Sequence, residues 1–187
     1  MRKILTCVII GFCFLLAQAK AYPIEAIEVF SGYFTAELKN NDDYQGIPLL
    51  VSFDFDAKPF FQKLGLNSKG KLSFIAEPFV NTVISPDPNA EVGSNFLFKY
   101  TFPLSEKVQP YFKTGLGFLY MSQHTVEQGG QFNFLPQVGT GLHIFLKPEL
   151  ALSFEYRYRH ISNNGLDDPN GGIETNMFLG GISLFFS

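Results

Sequence analysis

His160 and Ser162 lie two positions apart, and Glu174 follows fourteen residues after the histidine. The three residues supply a hydroxyl that can attack an acyl carbon, an imidazole that can take its proton, and a carboxylate that can hold the imidazole's tautomer and offset its charge. These are the parts of a hydrolase. The chemistry needs all three on one surface. An i, i+2 pair meets that condition on a β-strand, where alternate side chains point the same way and stand about 7 Å apart along the backbone. Glu174 must then arrive from a second strand, on the same face and at the same level. Taken alone, the motif leaves a plainer alternative open. A histidine at a strand end is also an ordinary interfacial residue, and Ser162-Asn163-Asn164-Gly165 is also an ordinary turn sequence.

The rest of the chain supplies strands in quantity. From about Glu28 onward, short runs of period-2 alternation are separated by turn residues, and no run carries a sustained 3.6-residue stripe. The spacing predicts eight strands, near 28–38, 49–57, 71–80, 94–103, 108–121, 131–146, 149–162 and 173–186. In the fourth, Phe96, Phe98, Tyr100 and Phe102 oppose Leu97, Lys99 and Thr101; in the sixth, Phe132, Phe134, Val138, Leu142 and Ile144 oppose Asn133, Gln137, Gly139, Gly141 and His143. The seventh sets Leu152, Phe154, Tyr156, Tyr158, His160 and Ser162 against Ser153, Glu155, Arg157 and Arg159. Three ionisable residues on one face of one strand suit a narrow lumen, with the apolar face turned to lipid; a soluble barrel would show the reverse polarity. The fold class expected is therefore all-β, an eight-stranded antiparallel transmembrane β-barrel. By the same parity the eighth strand turns Glu174, Asn176, Phe178, Ile182 and Leu184 outward, so Glu174 shares the lipid side with His160. Short turns near 104–109 and 147–148 mark one end of the barrel, and longer polar connections at 39–48, 81–93, 122–130 and 163–172 mark the other. The 58–70 connection is long for the short-turn end.

Composition agrees with a membrane barrel. Of 187 residues 46% are hydrophobic but only 17% are charged, against roughly 25% in an average soluble domain. Residues 1–21 carry the marks of a signal peptide: Arg2 and Lys3, an apolar run from Ile4 to Leu16, and the small-x-small Ala19-Lys20-Ala21. The mature domain then spans 22–187. Without Arg2, Lys3 and Lys20 the 14 basic residues fall to 11, against 17 acidic ones, for a net charge of -6. Such an acidic chain is no nucleic-acid binder. Both cysteines, Cys7 and Cys13, fall in the leader, which excludes a cysteine nucleophile, a disulfide framework and a cysteine-based zinc site in the mature protein. His124, His143 and His160 belong to different strands, loops and faces, so no metal site is expected, and no cofactor. Gly115-Leu116-Gly117 and Gly139-Thr140-Gly141 precede no helix and are small lumen-side residues, not phosphate loops.

The segment Arg159-His160-Ile161-Ser162-Asn163-Asn164-Gly165-Leu166, with Pro169-Asn170-Gly171-Gly172 and Glu174 after it, resembles the active-site region of the PagL-type lipid A 3-O-deacylases, a family of outer-membrane barrels. The His-x-Ser-Asn motif and the later Glu fall in register. The resemblance implies Ser162 as nucleophile, His160 as general base and Glu174 as its orienter, with Asn163 and Asn170 helping to form an oxyanion hole. It implies lipid A in the outer leaflet as substrate, outer-membrane lipid as the surrounding partner and export through the leader; homodimer formation is left open. Leu184-Phe185-Phe186 resembles the C-terminal aromatic signature of such barrels, displaced by the extra Ser187. Two other functions compete: a non-enzymatic structural or adhesive barrel whose loops bind a partner, and an esterase acting on phospholipid.

Overall fold

The computed structural model describes residues 23–39, 42–122, 125 and 127–186. The expected signal peptide, His124 and Ser187 lie outside the described residues. Eight strands run in chain order: β1 (Ile24–Glu37), β2 (Asp43–Asp56), β3 (Lys71–Ser85), β4 (Asn89–Thr101), β5 (Val108–Met121), β6 (Phe132–Lys147), β7 (Leu150–Ile161) and β8 (Ile173–Phe185). Each pairs antiparallel with the next, and β8 pairs with β1 to close the barrel. Closure leaves no sheet edge, so every strand's backbone groups find partners inside the wall, as hydrocarbon surroundings demand.

The alternation has the polarity expected from the sequence. Leu152, Phe154, Tyr156 and Tyr158 of β7 face outward, while Ser153, Glu155, Arg157 and Arg159 are buried in the lumen. Val92, Phe98, Phe112, Leu116, Phe118 and Phe132 continue the outer apolar belt.

Inside, charge is matched by charge. Arg157 holds Glu77 through two bonds, Nη1 to Oε1 at 2.5 Å and Nη2 to Oε2 at 3.1 Å, and its Nε donates to Glu155 Oε1 at 2.6 Å. Glu155 also meets Lys113 at 2.9 Å and accepts from the Tyr111 hydroxyl at 2.9 Å. Lys99 bridges Glu28 and Asp54, and Arg159 meets Glu91 at 3.2 Å. The outer half of the lumen is different in kind. Phe30, Phe34, Leu50, Phe79, Val83, Leu119, Leu135, Ile161, Ile173 and Met177 form an apolar plug there. A lumen filled throughout by small and charged residues, as the strand-seven pattern suggests, is thus not the whole interior; under the loops apolar side chains surround the Arg159–Glu91 pair, with Arg159 lying over the Phe34 ring.

Two expectations about connections are corrected. The polar stretches 39–48 and 81–93 are mostly strand: β2 begins at Asp43, β3 runs to Ser85, and β4 begins at Asn89. Their polar residues do not interrupt the ladder because several face the lumen. Asn81 donates to Glu91 at 2.5 Å, and the Tyr44 hydroxyl bonds the same carboxylate. The 58–70 connection holds a short helix, α1 (Lys58–Lys63), started by Pro59 and by Asp56 Oδ1 accepting the Lys58 N–H at 2.8 Å.

The lumen network yields a stability prediction. Arg157→Met strands Glu77 as a buried carboxylate without a cation, leaves Glu155 with Lys113 alone, and is expected to cost about 3–5 kcal/mol, whereas Leu116→Arg on the lipid face is expected to cost about 2–4 kcal/mol. Urea unfolding in vesicles, followed by the heat-dependent gel shift of a closed barrel, measures both. An Arg157→Met midpoint equal to the parent would contradict the lumen assignment.

Candidate active site

His160 and Glu174 are directly paired residues of β7 and β8. Both side chains project from the outer wall at the end opposite the short turns, and His160 Nδ1 lies 2.6 Å from Glu174 Oε1. A carboxylate accepts only, so Nδ1 carries a proton, and in the neutral imidazole the lone pair then sits on Nε2. The other carboxylate oxygen, Oε2, accepts from the hydroxyl of Tyr158, one outward position below His160. Glu174 is therefore held from two sides. The Tyr158 contribution was not evident from sequence, where the tyrosine is one more member of the aromatic row; only the cross-strand register with Glu174 singles it out.

Ser162 follows the end of β7 and is still sheet-bound. Its N–H donates to Phe134 O at 3.1 Å, and its carbonyl accepts from Phe134 N–H at 2.7 Å. Beyond it the chain turns, with Asn164 and Gly165 at φ 55 and 73. Asn163 builds this turn: its Oδ1 accepts from Gly165 N–H at 2.8 Å, and its Nδ2 donates to the carbonyls of Asp167 at 2.8 Å and Pro169 at 3.2 Å. The side chain is wholly buried. The Ser162 hydroxyl accepts from Asn164 N–H at 3.1 Å and donates to Asn170 Oδ1 at 3.0 Å. Asn170 Oδ1 also takes the Asn163 N–H at 3.0 Å, which leaves the Asn170 amide nitrogen as its remaining polar group on the exposed side.

All five residues singled out from sequence thus gather at one rim, joined as two units, His160 with Glu174 and Ser162 with Asn170. The serine proton is directed to Asn170, not to His160. Gln128, from the β5–β6 connection, is a further member that sequence did not single out. Its buried amide donates to Ile161 O at 3.2 Å and accepts from Asn163 N–H at 3.3 Å, gripping the residues on both sides of Ser162. Ile161 in turn points inward into the apolar plug. His143 faces the lumen and bonds Ser153 at 2.7 Å, on the opposite side of the wall from His160. No cluster of three or more metal-ligating side chains occurs among the described residues.

Gly172 closes the site on the histidine side. At φ 74 it occupies the left-handed region, and a Cβ there would stand 2.6 Å from His160 Cε1. Below the site an open apolar groove of about 660 Å³ descends the wall, lined by Thr140, Leu142, Phe154, Tyr156, Phe178 and Gly180. Gly180 gives it depth, having no side chain.

Known proteins share the fold. The family model for lipid A 3-O-deacylase (PagL) matches residues 48–183. Among solved structures, the outer membrane enzyme PagL superposes with a TM-score of 0.63 at 20% identity, covering 83% of this chain and 97% of that one. Neisserial surface protein A gives 0.64 at 15% identity, over 86% of this chain and 96% of that one. The N-terminal β-barrel domain of Pseudomonas aeruginosa OprF gives 0.51 at 11%, over 87% and 98%. Likeness at these identities is likeness of fold. A search of curated protein sequences found no match.

Gly172→Ala is expected to push the His160 ring off Glu174 and to lose about 1–2 kcal/mol from the left-handed backbone. Nitrogen NMR of the labelled histidine reports the first effect, and an unchanged Nδ1 signal would show that the ring does not depend on this glycine.

Proposed function

The chain belongs to the lipid A 3-O-deacylase (PagL) family, and on that premise we propose that it hydrolyses the 3-O-linked acyl ester of lipid A in the outer leaflet through Ser162, His160 and Glu174. The observation that carries this reading is the 2.6 Å contact between His160 and Glu174 on the lipid-facing wall, inside the matched segment. A carboxylate and an imidazole paired on an outer surface serve no packing purpose; they prepare Nε2 as a base beside a serine.

Ser162 Oγ attacks the ester carbonyl carbon while His160 Nε2 takes its proton. The resulting imidazolium is stabilised by Glu174, whose charge is steadied by Tyr158. The tetrahedral oxyanion collapses, expelling the sugar oxygen, which recovers the proton from His160. Water, activated by the same Nε2, then cleaves the acyl-serine and releases a 3-hydroxy fatty acid. Ser162 first turns about χ1 from Asn170 toward the imidazole, a rearrangement common between resting and substrate-bound sites. The Asn170 Oδ1 stays on the Asn163 N–H, and its amide nitrogen can donate to the oxyanion. Asn163 contributes by shaping the turn that aims Asn170, its own side chain being spent on carbonyls.

The site's height suits the substrate. Lipid A esters lie where sugar meets acyl chain, and a rim-level nucleophile on the outer wall meets them by lateral diffusion, with the groove beside Gly180 open to the acyl chain. No entry into the plugged lumen is needed.

Mass spectrometry of lipid A incubated with the folded protein tests the proposal. Ser162→Ala and His160→Asn are each expected to lower deacylation roughly 10⁴-fold, and Glu174→Gln by less. Tyr158→Phe removes one of two bonds on the carboxylate and is expected to lower turnover about fivefold, the equivalent of about 1 kcal/mol. Asn176→Ala, also outward on β8 but bonded to Tyr156, should keep most of the activity. Gel-shifted, folded Ser162→Ala that still releases 3-hydroxy fatty acid at the parent rate would overturn the nucleophile. Release from phospholipid alone would make the protein a phospholipid esterase, and release from neither would favour the adhesive barrel.

A further inference from the structure

At the barrel end opposite the site, between β2 and β3, the 57–71 connection departs from the rest of the surface in two ways. It carries Lys58, Lys63, Lys69 and Lys71 and no acidic residue, in a chain whose mature part is net acidic. It also exposes large apolar side chains: Phe60 is 52% exposed, Leu64 61% and Leu66 57%. These are not scattered. Phe60 packs edge-on against Phe61 at 5.4 Å, and Phe61 packs edge-on against Phe98 at 5.4 Å. Phe98 belongs to the lipid-facing row of β4 and packs edge-on in turn against Phe74. The apolar surface of α1 is therefore continuous with the barrel's membrane belt, bent outward at its lower edge.

A soluble connection has no reason to expose Phe60, Leu64 and Leu66 beside a membrane belt, and the lysines around them match a phosphate-bearing surface. We infer that α1 and the segment after it form a foot that lies in the phospholipid leaflet on the short-turn side, its aromatic and leucine side chains in the acyl region and Lys58, Lys63 and Lys69 on anionic headgroups. Lys71 is engaged with Glu25 at 3.2 Å and closes the foot onto β1. The consequence is a fixed depth. Twelve residues of β7 at about 3.3 Å each make about 40 Å of strand, which a tilt near 40° reduces to about 30 Å along the membrane normal, the thickness of the hydrocarbon core. A foot pinned at one interface holds His160 at the other. This inference rests on the barrel and its belt, and not on the catalytic reading.

The chain from Tyr22 onward has no cysteine, so single cysteines can be labelled with an environment-sensitive fluorophore at Leu64, at lipid-facing Leu152 and at Asp87 in the opposite β3–β4 turn. Each labelled protein is refolded into phosphatidylethanolamine vesicles with brominated chains, with and without phosphatidylglycerol, and its closure is checked by the gel shift. The Leu64 label is expected to be quenched at least half as much as the Leu152 label and several-fold more than the Asp87 label. Phosphatidylglycerol should deepen the Leu64 quenching, and the combined Lys58→Gln, Lys63→Gln, Lys69→Gln variant should lose that gain. Quenching at Leu64 no greater than at Asp87 would overturn the foot; quenching that ignores phosphatidylglycerol in the parent protein would overturn the headgroup contact. Neither result bears on whether Ser162 is a nucleophile.

Discussion

Every backbone N–H and C=O that crosses hydrocarbon must find its partner within the protein, and this chain meets that demand by pairing β8 with β1. Much else follows from the closed ladder. Closure gives the wall two faces and forces strict alternation on each strand, so the apolar row of β7 is outward over its full length and the charged row inward. It also makes β7 and β8 neighbours with one register, in which His160 stands across from Glu174. An imidazole and a carboxylate fourteen residues apart thus meet because the strands that carry them cannot slip by one residue without turning Arg157 and Arg159 to lipid.

The interior that supports this wall is built in two layers. Around the middle, Arg157, Glu77, Glu155 and Lys113 form one buried network, and Lys99 with Glu28 and Asp54 another. Such networks are tolerable only because each charge finds an opposite partner, and they specify the register of the strands that contribute them. Toward the loops apolar side chains gather around the Arg159–Glu91 pair. Ile161 and Ile173, the inward residues next to His160 and Glu174, are both in that plug. The site thus stands on a packed base, with the catalytic candidates on the outside of the same strand ends. Gln128 adds a polar clasp from a different connection, joining the β5–β6 loop to the turn after Ser162.

The two ends of the molecule are asymmetric in a way that suits work at a membrane surface. One rim carries the His160–Glu174 pair and a turn held by Asn163; the other carries an amphipathic connection whose aromatic contacts merge with the belt. Between them the strand length matches the hydrocarbon thickness, so the height of one end determines the height of the other.

Period-2 alternation, turn residues and an even strand count were enough to determine, from the sequence by itself, an eight-stranded barrel, which face met lipid, and that His160, Ser162 and Glu174 shared it. These are properties of local parity, and parity survives without any knowledge of neighbours. Strand lengths at the loop end were not legible, because polar residues such as Asn81 and Glu91 look like loop until the lumen is there to receive them. The tertiary structure alone decided that Tyr158 holds Glu174, that Gln128 grips the residues flanking Ser162, that Ser162 donates to Asn170 at rest, and that the outer lumen packs apolar side chains around the Arg159–Glu91 pair. Each of these depends on a contact between residues far apart in the chain. Their geometry comes from cross-strand register and loop packing, which no single segment encodes.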